Sequence, residues 1–352
     1  MTGAASVTND ALNQSRDETD QTYEWKLQKE AEFWGTMAKE RRKGGIPMTM
    51  DFSRATRYRV RRSVLGWGDY FQDPALEALT PFGRARIKFV NTVRNEPGKR
   101  ALDLCCGAGW LALELARSGK HVDAVDVSLE EITVAKEYQA TLEEEIPGRI
   151  NWIVSDLNTY VADEGAYDQV TSWDGLHHVQ KIDALCSAIA RSLKPHGRFT
   201  LCERTWGGEN PSKRMRIGRY LEAHLWTIVP TPSPMTYRRK FKQLFETWKT
   251  VFRAKVLRKK NLPVRSQTSV EGFCSPFEDT SGPEILAAVR RYFDIEKIES
   301  YGGFTEEVLR SIYLPRVLRI PTVLVLGWLD YLVVRAGLLE GKITMVYARK
   351  RA

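Results

Sequence analysis

Cysteine is sparse in this 352-residue chain. Its five cysteines (Cys105, Cys106, Cys186, Cys202, Cys274) show no metal-ligand spacing. An odd count without a framework points to a reducing compartment, and no metal site is expected. Long hydrophobic runs are missing too. The most apolar window, Ile320 to Val334, is fifteen residues long and contains Pro321 and Asp330. That is shorter than the roughly 20 residues a membrane-crossing helix needs. The first residues carry no basic-then-apolar signal segment, and no internal repeat is visible. A cytoplasmic location is therefore expected, with surface attachment as the one membrane mode left open. Acids are nearly absent from one stretch. Residues 213–265 hold fifteen Lys and Arg against Glu222 and Glu246, a local +13 in a chain whose total is +9. The rest of the chain sums to −4, so the basicity is local and the question becomes what this stretch touches.

What is present is enough for a core: 43% of the residues are hydrophobic. Residues 1–22 are polar and aperiodic and read as a disordered tail. Tyr23, Leu27, Ala31, Trp34 and Ala38 recur at helical steps and predict a helix to about Arg42. Its stripe packs on the core or, in a sharper reading, lids a pocket. Residues 48–80 mix arginines with aromatics, and a helix over Phe82–Val93 leads into the first strand. The span 23–96 thus forms an N-terminal helical cap. Short apolar runs then alternate with helical patterns. Strands are expected around Ala101–Leu104, His121–Val127, Ile150–Ser155, Asp168–Trp173 and Arg198–Cys202. Helices are expected after Gly109, from Ser128 to about Glu145, and over Ile182–Leu193, with Lys194 to Gly197 as a turn. This alternation predicts an α/β fold with a doubly wound, mostly parallel sheet. Residues 97–204 would be its core. A helix over Pro283–Tyr292 and strands over Phe293–Ser300 and Ile343–Lys350 would complete it within 282–352. The spans 205–281 and 301–342 then become insertions into one domain.

The chain is organised around Ala101 to Gly119, ALDLCCGAGWLALELARSG. An apolar strand carrying Asp103 breaks at Cys105-Cys106-Gly107-Ala108-Gly109 into a helix start. Small residues let backbone approach a ligand, and helix-start N–H groups face it. Three more acids follow at strand ends: Asp126, Asp156 and Glu203. Open α/β sheets bind ligands along that edge. Gly107 to Ala112 also fits the dinucleotide pattern G-x-G-x-x-A, but that pattern leaves Asp103, Asp156 and the segment Asp174 to Val179 unexplained.

Asp103, Cys105, Gly107 and Gly109 resemble the first motif of class I S-adenosylmethionine (SAM)-dependent methyltransferases, usually D-x-G-C-G-x-G. The likeness runs from about 97 to 204, and the closing helix and strands fit it. It implies a seven-stranded Rossmann-like methyltransferase sheet with SAM as cofactor. Cys105 stands where the family usually has glycine, at a point where positive φ would be costly. Carried over by position, Gly107 and Gly109 give backbone approach, and Asp103 orients the loop or reaches the ammonium group indirectly. Asp126 accepts both ribose hydroxyls. Asp156 accepts from the adenine amino group, Leu157 lends its backbone N–H, and Trp173 and Leu176 lie near the cofactor. His177 and His178 follow the fourth strand as in ubiquinone- and menaquinone-type methyltransferases. One is a candidate general base and at least one is expected to pack under the cofactor. Glu203 is a further pocket candidate.

The resemblance also narrows the acceptor. Amino-methylating nucleic-acid enzymes usually carry Asp/Asn-Pro-Pro-aromatic after the fourth strand, where this chain has Ser172-Trp173-Asp174-Gly175. Cytosine C5 enzymes commonly use Pro-Cys, which does not occur. The expected partner is a small-molecule or lipid-like acceptor methylated on oxygen or carbon, with nucleic acid disfavoured and the oligomeric state undetermined. A non-catalytic SAM-binding scaffold or sensor is the alternative from another class. From Tyr237 onward, Phe241, Leu244, Phe245, Trp248 and Phe252 share one helical face with cations elsewhere. This pattern suits a lid helix with a solvated basic face or a helix lying on an anionic membrane. Ile320–Val334 is expected to be a buried hydrophobic helix or a dimer contact, with membrane contact the lesser reading.

Overall fold

The computed structural model describes residues 22–39, 78–204, 212–218, 275–277, 280–311 and 316–351. The expected tail before residue 22, the Arg-aromatic stretch up to residue 77 and the amphipathic pattern from Tyr237 lie outside the described residues. The first described helix, α1, covers 22–39. Helix α2 (Pro81–Asn95) starts where the Thr80 hydroxyl accepts from the Gly83 N–H, with Pro81 in the first turn.

Strand β1 (Arg100–Leu104) leads through the glycine loop into α3 (Trp110–Arg117). Strand β2 (His121–Asp126) precedes α4 (Leu129–Ala140), whose cap is Ser128 with Glu130 and Glu131 in the first turn. Strands β3 (Arg149–Val154) and β4 (Tyr167–Trp173) follow, then a single 3-10 turn, Leu176–His178. Helix α5 (Ile182–Ser192) runs into β5 (Leu193–Arg204), and a short helix α6 occupies 213–218. Helix α7 (Gly282–Tyr292) opens with a full capping box between Ser281 and Glu284. Strand β6 (Phe293–Tyr301), helices α8 (Thr305–Ser311) and α9 (Arg316–Arg335), and strand β7 (Ile343–Lys350) end the described fold.

The seven strands form one sheet in the order β3-β2-β1-β4-β5-β7-β6. The first five run parallel, and β7 is antiparallel to both β5 and β6. Alternation along β1 divides the core between the two faces. Leu102 and Leu104 pack with Val170, Ile189, Phe199 and Val289 on the α5/α7 side. Ala101 packs with Phe89, Leu111 and Leu115 on the α2/α3 side. Asp103 shares that second face.

Two local expectations are corrected. Helix α4 ends at Ala140 rather than near Glu145, because Glu143, Glu144 and Glu145 crowd like charge where a helix C-terminus favours cations. The stretch Lys194 to Gly197 belongs to β5 rather than to a separate turn. It is a register irregularity between Tyr167 and Gln169 of the partner strand, with His196 at φ 63°. Ile320–Val334, expected as a buried helix or a dimer contact, lies within α9. Only one side of α9 is buried. Val323 packs with Leu309, Leu79 and Leu326, and buried Asp330 accepts the Gly303, Phe304 and Thr305 N–H groups at 2.7–2.8 Å, capping α8. The other side leaves Leu324, Val325, Trp328, Leu329, Tyr331 and Leu332 exposed among the described residues. An apolar fifteen-residue run has more hydrophobic positions than one contact stripe can cover. No helix among the described residues is long and apolar enough to cross a membrane.

Candidate active site

The parallel register aligns Leu104 with Val125 and Ser172, Asp126 with Val154, and Trp173 with Cys202. The residues that follow these positions therefore gather at one edge of the sheet. Within the glycine loop, the Cys106 N–H donates to Val125 O at 3.1 Å and the Gly107 N–H to Asp126 Oδ2 at 2.8 Å. Asp126 Oδ1 accepts the Ser128 N–H at 2.9 Å. One buried carboxylate thus fastens both the loop and the start of α4, and each of its oxygens keeps a further lone pair. Burial pushes its pKa up, against the pull of those two N–H donors. Gly107 has φ 51°, and a Cβ there would meet nothing within 4 Å, so the loop leaves a space on that side.

Asp103 lies beneath the loop and accepts from Thr171 Oγ1 at 3.1 Å. Burial, with the Asp126 charge adding, lifts its pKa to about 8 despite the Thr171 hydrogen bond. The folded chain therefore holds this proton through a range in which the unfolded chain, at about pH 4, has released it. Unfolding is favoured as pH rises between those values. We expect the apparent Tm to fall from pH 5 to pH 8, and Asp103→Asn to flatten that slope in a thermal-shift series.

Cys105 adopts φ 54°, so the cysteine at the motif's glycine position does take the left-handed conformation. It is accommodated because the facing residue is Gly175: a Cβ at 175 would lie 2.3 Å from Cys105 Cβ. Burial and the surrounding acids push the Cys105 thiol well up, so it acts as a small neutral filler. Gly175→Ala should cost about 1–3 kcal/mol by overpacking. The double variant Cys105→Gly/Gly175→Ala should regain most of it in denaturant unfolding. Independent, additive costs would show that the two positions do not interlock.

Helix α1 lies across this edge. Tyr23 Oη donates to Asp156 Oδ2 at 2.5 Å, and Asp156 Oδ1 accepts from the Asn158 N–H and side-chain amide at 2.9 Å. Leu157 is buried in the α5-side core. Trp173 meets Phe82, Phe89 and Trp110 edge-on at 5.0–6.0 Å. The two histidines part company. His177 is 1% exposed and sets Nδ1 2.9 Å from Glu203 Oε2. Glu203 Oε1 accepts the Gly175 and Leu176 N–H groups at 3.0 and 2.6 Å. Burial works against protonation of His177, but the Glu203 hydrogen bond and charge outweigh it and raise its pKa. Its Nε2 is buried without a partner among the described residues. Glu203 and His177 therefore brace the turn after β4. Asp174, His177 and Glu203 bring ligand-type atoms within 4.8 Å of one another, yet Asp174 is held by Arg204 at 2.9 Å and Glu203 by backbone donors. His178 instead faces α1, where Trp34 lies edge-on to its ring at 5.2 Å and Glu30 Oε1 is 3.1 Å from Nδ1.

Residues 101–197 match the family model described as "Methyltransferase domain". Over this span the chain is similar to methyltransferase domains. The ubiquinone biosynthesis O-methyltransferase of Xanthomonas euvesicatoria pv. vesicatoria (strain 85-10) is 34% identical over 127 residues, 36% of this chain and 50% of that protein. The enzyme of the same name from Xylella fastidiosa (strain M23) is 33% identical over 136 residues, 38% of this chain and 52% of that protein. The chain thus spans about half the length of the curated relatives it matches. The crystal structure of geranyl diphosphate C-methyltransferase from Streptomyces coelicolor A3(2) aligns over 76% of each chain with a TM-score of 0.43 and 16% identity.

The sequence motifs single out Asp103, Cys105, Gly107, Gly109, Asp126, Asp156 and the two histidines. They do not single out Tyr23, Glu30, Thr171 and Gly175, which the fold brings against them. Glu30 carried a visible signal: it sits three residues after Leu27 and four before Trp34, an acid on the apolar stripe of α1.

Proposed function

We propose that this chain is a SAM-dependent methyltransferase that methylates oxygen or carbon of a small-molecule or lipid-like acceptor. The observation that carries the reading is the carboxylate clamp. Asp126, buried at the end of β2, fixes the glycine loop through the Gly107 N–H while retaining acceptor capacity. That pair of acceptor oxygens fits a nucleoside with two adjacent hydroxyls, and the space beside Gly107 fits close backbone approach of a ligand. Asp126 would hold the ribose. Asp156 and the Leu157 N–H would hold the adenine, with Tyr23 closing over Asp156. Gly107, Gly109, Cys105 and Asp103 would shape the methionine end, with Trp173 and its aromatic neighbours behind. When bound, SAM supplies a methyl group already activated on a sulfonium. The protein is left to align the acceptor, exclude water and take up a proton. For a hydroxyl acceptor, His178 would receive that proton, while His177 and Glu203 keep the turn in place.

The test is incubation with methyl-labelled SAM and a metabolite and lipid extract, followed by identification of the labelled product. Labelled small molecules or lipids are expected. SAM binding with no labelled product would favour the scaffold reading, and labelled nucleic acid would overturn the acceptor class.

The exposed face of α9 supports contact with an anionic membrane surface. Helix α6, with Lys213, Arg214 and Arg216 exposed, abuts the end of α9: a Cβ on Gly218 would lie 1.6 Å from Leu338 O. The +13 stretch therefore begins beside the apolar face, the pairing an interfacial helix needs. Flotation with vesicles containing anionic lipid should recover the protein at low salt, and Val325→Glu/Trp328→Glu should abolish recovery. Absence of binding at low salt would sink this contact.

A further inference from the structure

Among the described residues, two groups lie against His178 Nδ1: Ser275 Oγ, hydrogen-bonded at 2.9 Å, and Glu30 Oε1, an ion-pair contact at 3.1 Å. Ser275 Oγ also donates to Glu30 Oε2. A serine hydroxyl has one proton, and here it is committed to the carboxylate. Ser275 Oγ can then only accept from His178, and Glu30 can only accept. Both partners therefore require Nδ1 to carry hydrogen, which leaves the Nε2 lone pair free in the neutral ring. Glu30 is itself 2% exposed and fully engaged. Trp34 Nε1 donates to Oε1 at 2.7 Å and the Phe277 N–H to Oε2 at 3.2 Å. Burial alone would raise its pKa, but the hydrogen bonds from His178, Ser275 and Trp34 together hold it below the usual carboxylate value. Among the described residues, the Asp126 charge also acts on this ring, and the His177 ring, tied to Glu203, lies 4.1 Å away.

We propose that Glu30, from the N-terminal helix, is a positioning residue that fixes the Nδ1–H tautomer of His178 and so makes Nε2 the proton acceptor for the substrate. The inference rests on the methyltransferase reading above. For a hydroxyl acceptor, the oxygen–methyl bond forms as the carbon–sulfur bond of the cofactor breaks. The hydroxyl proton passes to Nε2, and the resulting imidazolium is balanced by the Glu30 carboxylate. The site is then complete only with α1 in place, because the base and its partner come from segments far apart in the chain.

Two measurements test this separately from the reading it rests on. Long-range nitrogen–proton NMR of His178 needs no turnover. The neutral wild-type ring should carry hydrogen on Nδ1, and Glu30→Gln should shift it toward Nε2–H. A wild-type ring protonated on Nε2 would overturn the proposal. With an acceptor that the wild type methylates, Glu30→Gln should lower kcat by about 100-fold and leave the KM for SAM within about twofold. In a His178→Ala background the same change should have no further effect on kcat. An equal loss in both backgrounds would mean that Glu30 only supports the fold, and the proposal would fall. Glu30→Asp, which keeps the charge, should recover part of the rate and serves if the glutamine variant does not fold. A wild type without turnover on any acceptor would count against the methyltransferase reading, while the tautomer would still decide the role of Glu30.

Discussion

Gly109→Ala is expected to lower the unfolding free energy by about 2–5 kcal/mol and to abolish SAM retention. Two costs coincide at this position. Gly109 caps α3 at φ 82° and ψ 17°, a left-handed conformation that costs an L-residue about 1–2 kcal/mol. A Cβ there would also lie 2.2 Å from Trp152 Cη2 and 3.2 Å from Ala135 Cβ. Trp152 cannot swing aside cheaply, because its Nε1 donates to Gln139 Oε1 at 2.8 Å. The loop would have to lift, breaking the Gly109 N–H bond to Cys106 O and the contacts that hold Cys106 and Gly107 on β2. Gly107→Ala makes the control. Its Cβ meets nothing, so only the backbone term of about 1–2 kcal/mol applies, while the methyl group enters the space assigned to the ligand. Denaturant unfolding and calorimetric titration with SAM should separate the two: Gly109→Ala loses stability and binding, whereas Gly107→Ala loses mainly binding. A Gly109→Ala protein as stable as wild type would show that Trp152 does not close over the loop.

The strand-loop-helix at Ala101 to Gly119 was legible because its signals are local. Apolar alternation, small residues and a glycine stop act within a few residues, and the acids at strand ends follow from the α/β alternation. What remained hidden depends on distant chain segments meeting. Glu30 and His178 are 148 positions apart, and neither motif nor periodicity states which side of the sheet α1 crosses. Gly175 reads as an ordinary turn residue until Cys105 is seen against it. His177 and His178 are indistinguishable as adjacent letters. The 3-10 turn sends one toward Glu203 and the other toward Glu30. The apolar run on α9 left burial and a dimer contact unseparated for a related reason. Hydrophobicity marks a helix as able to be buried, and the space available around α2 and α8 decides how much of it is.

Asp126→Ala should weaken SAM binding by about 100-fold or more. Each hydrogen bond to a charged acceptor contributes about 1.5–3 kcal/mol, and the reading above gives Asp126 two from the ribose. The substitution also removes the partners of the Gly107 and Ser128 N–H groups, so some loss reflects a looser loop rather than a missing ribose contact. A ligand change separates the two contributions. S-Adenosylhomocysteine lacking the ribose 2′-hydroxyl should bind the wild type about tenfold or more weakly than the parent compound. Asp126→Ala should barely distinguish the pair, because the group that reads the hydroxyl is gone. Asp126→Asn should fall between: its amide nitrogen cannot accept, so it must turn a donor toward Gly107, Ser128 or the ribose. If the alanine variant still discriminated the two ligands as strongly as wild type, Asp126 would serve the loop alone, and the ribose would have to be held elsewhere along the strand ends.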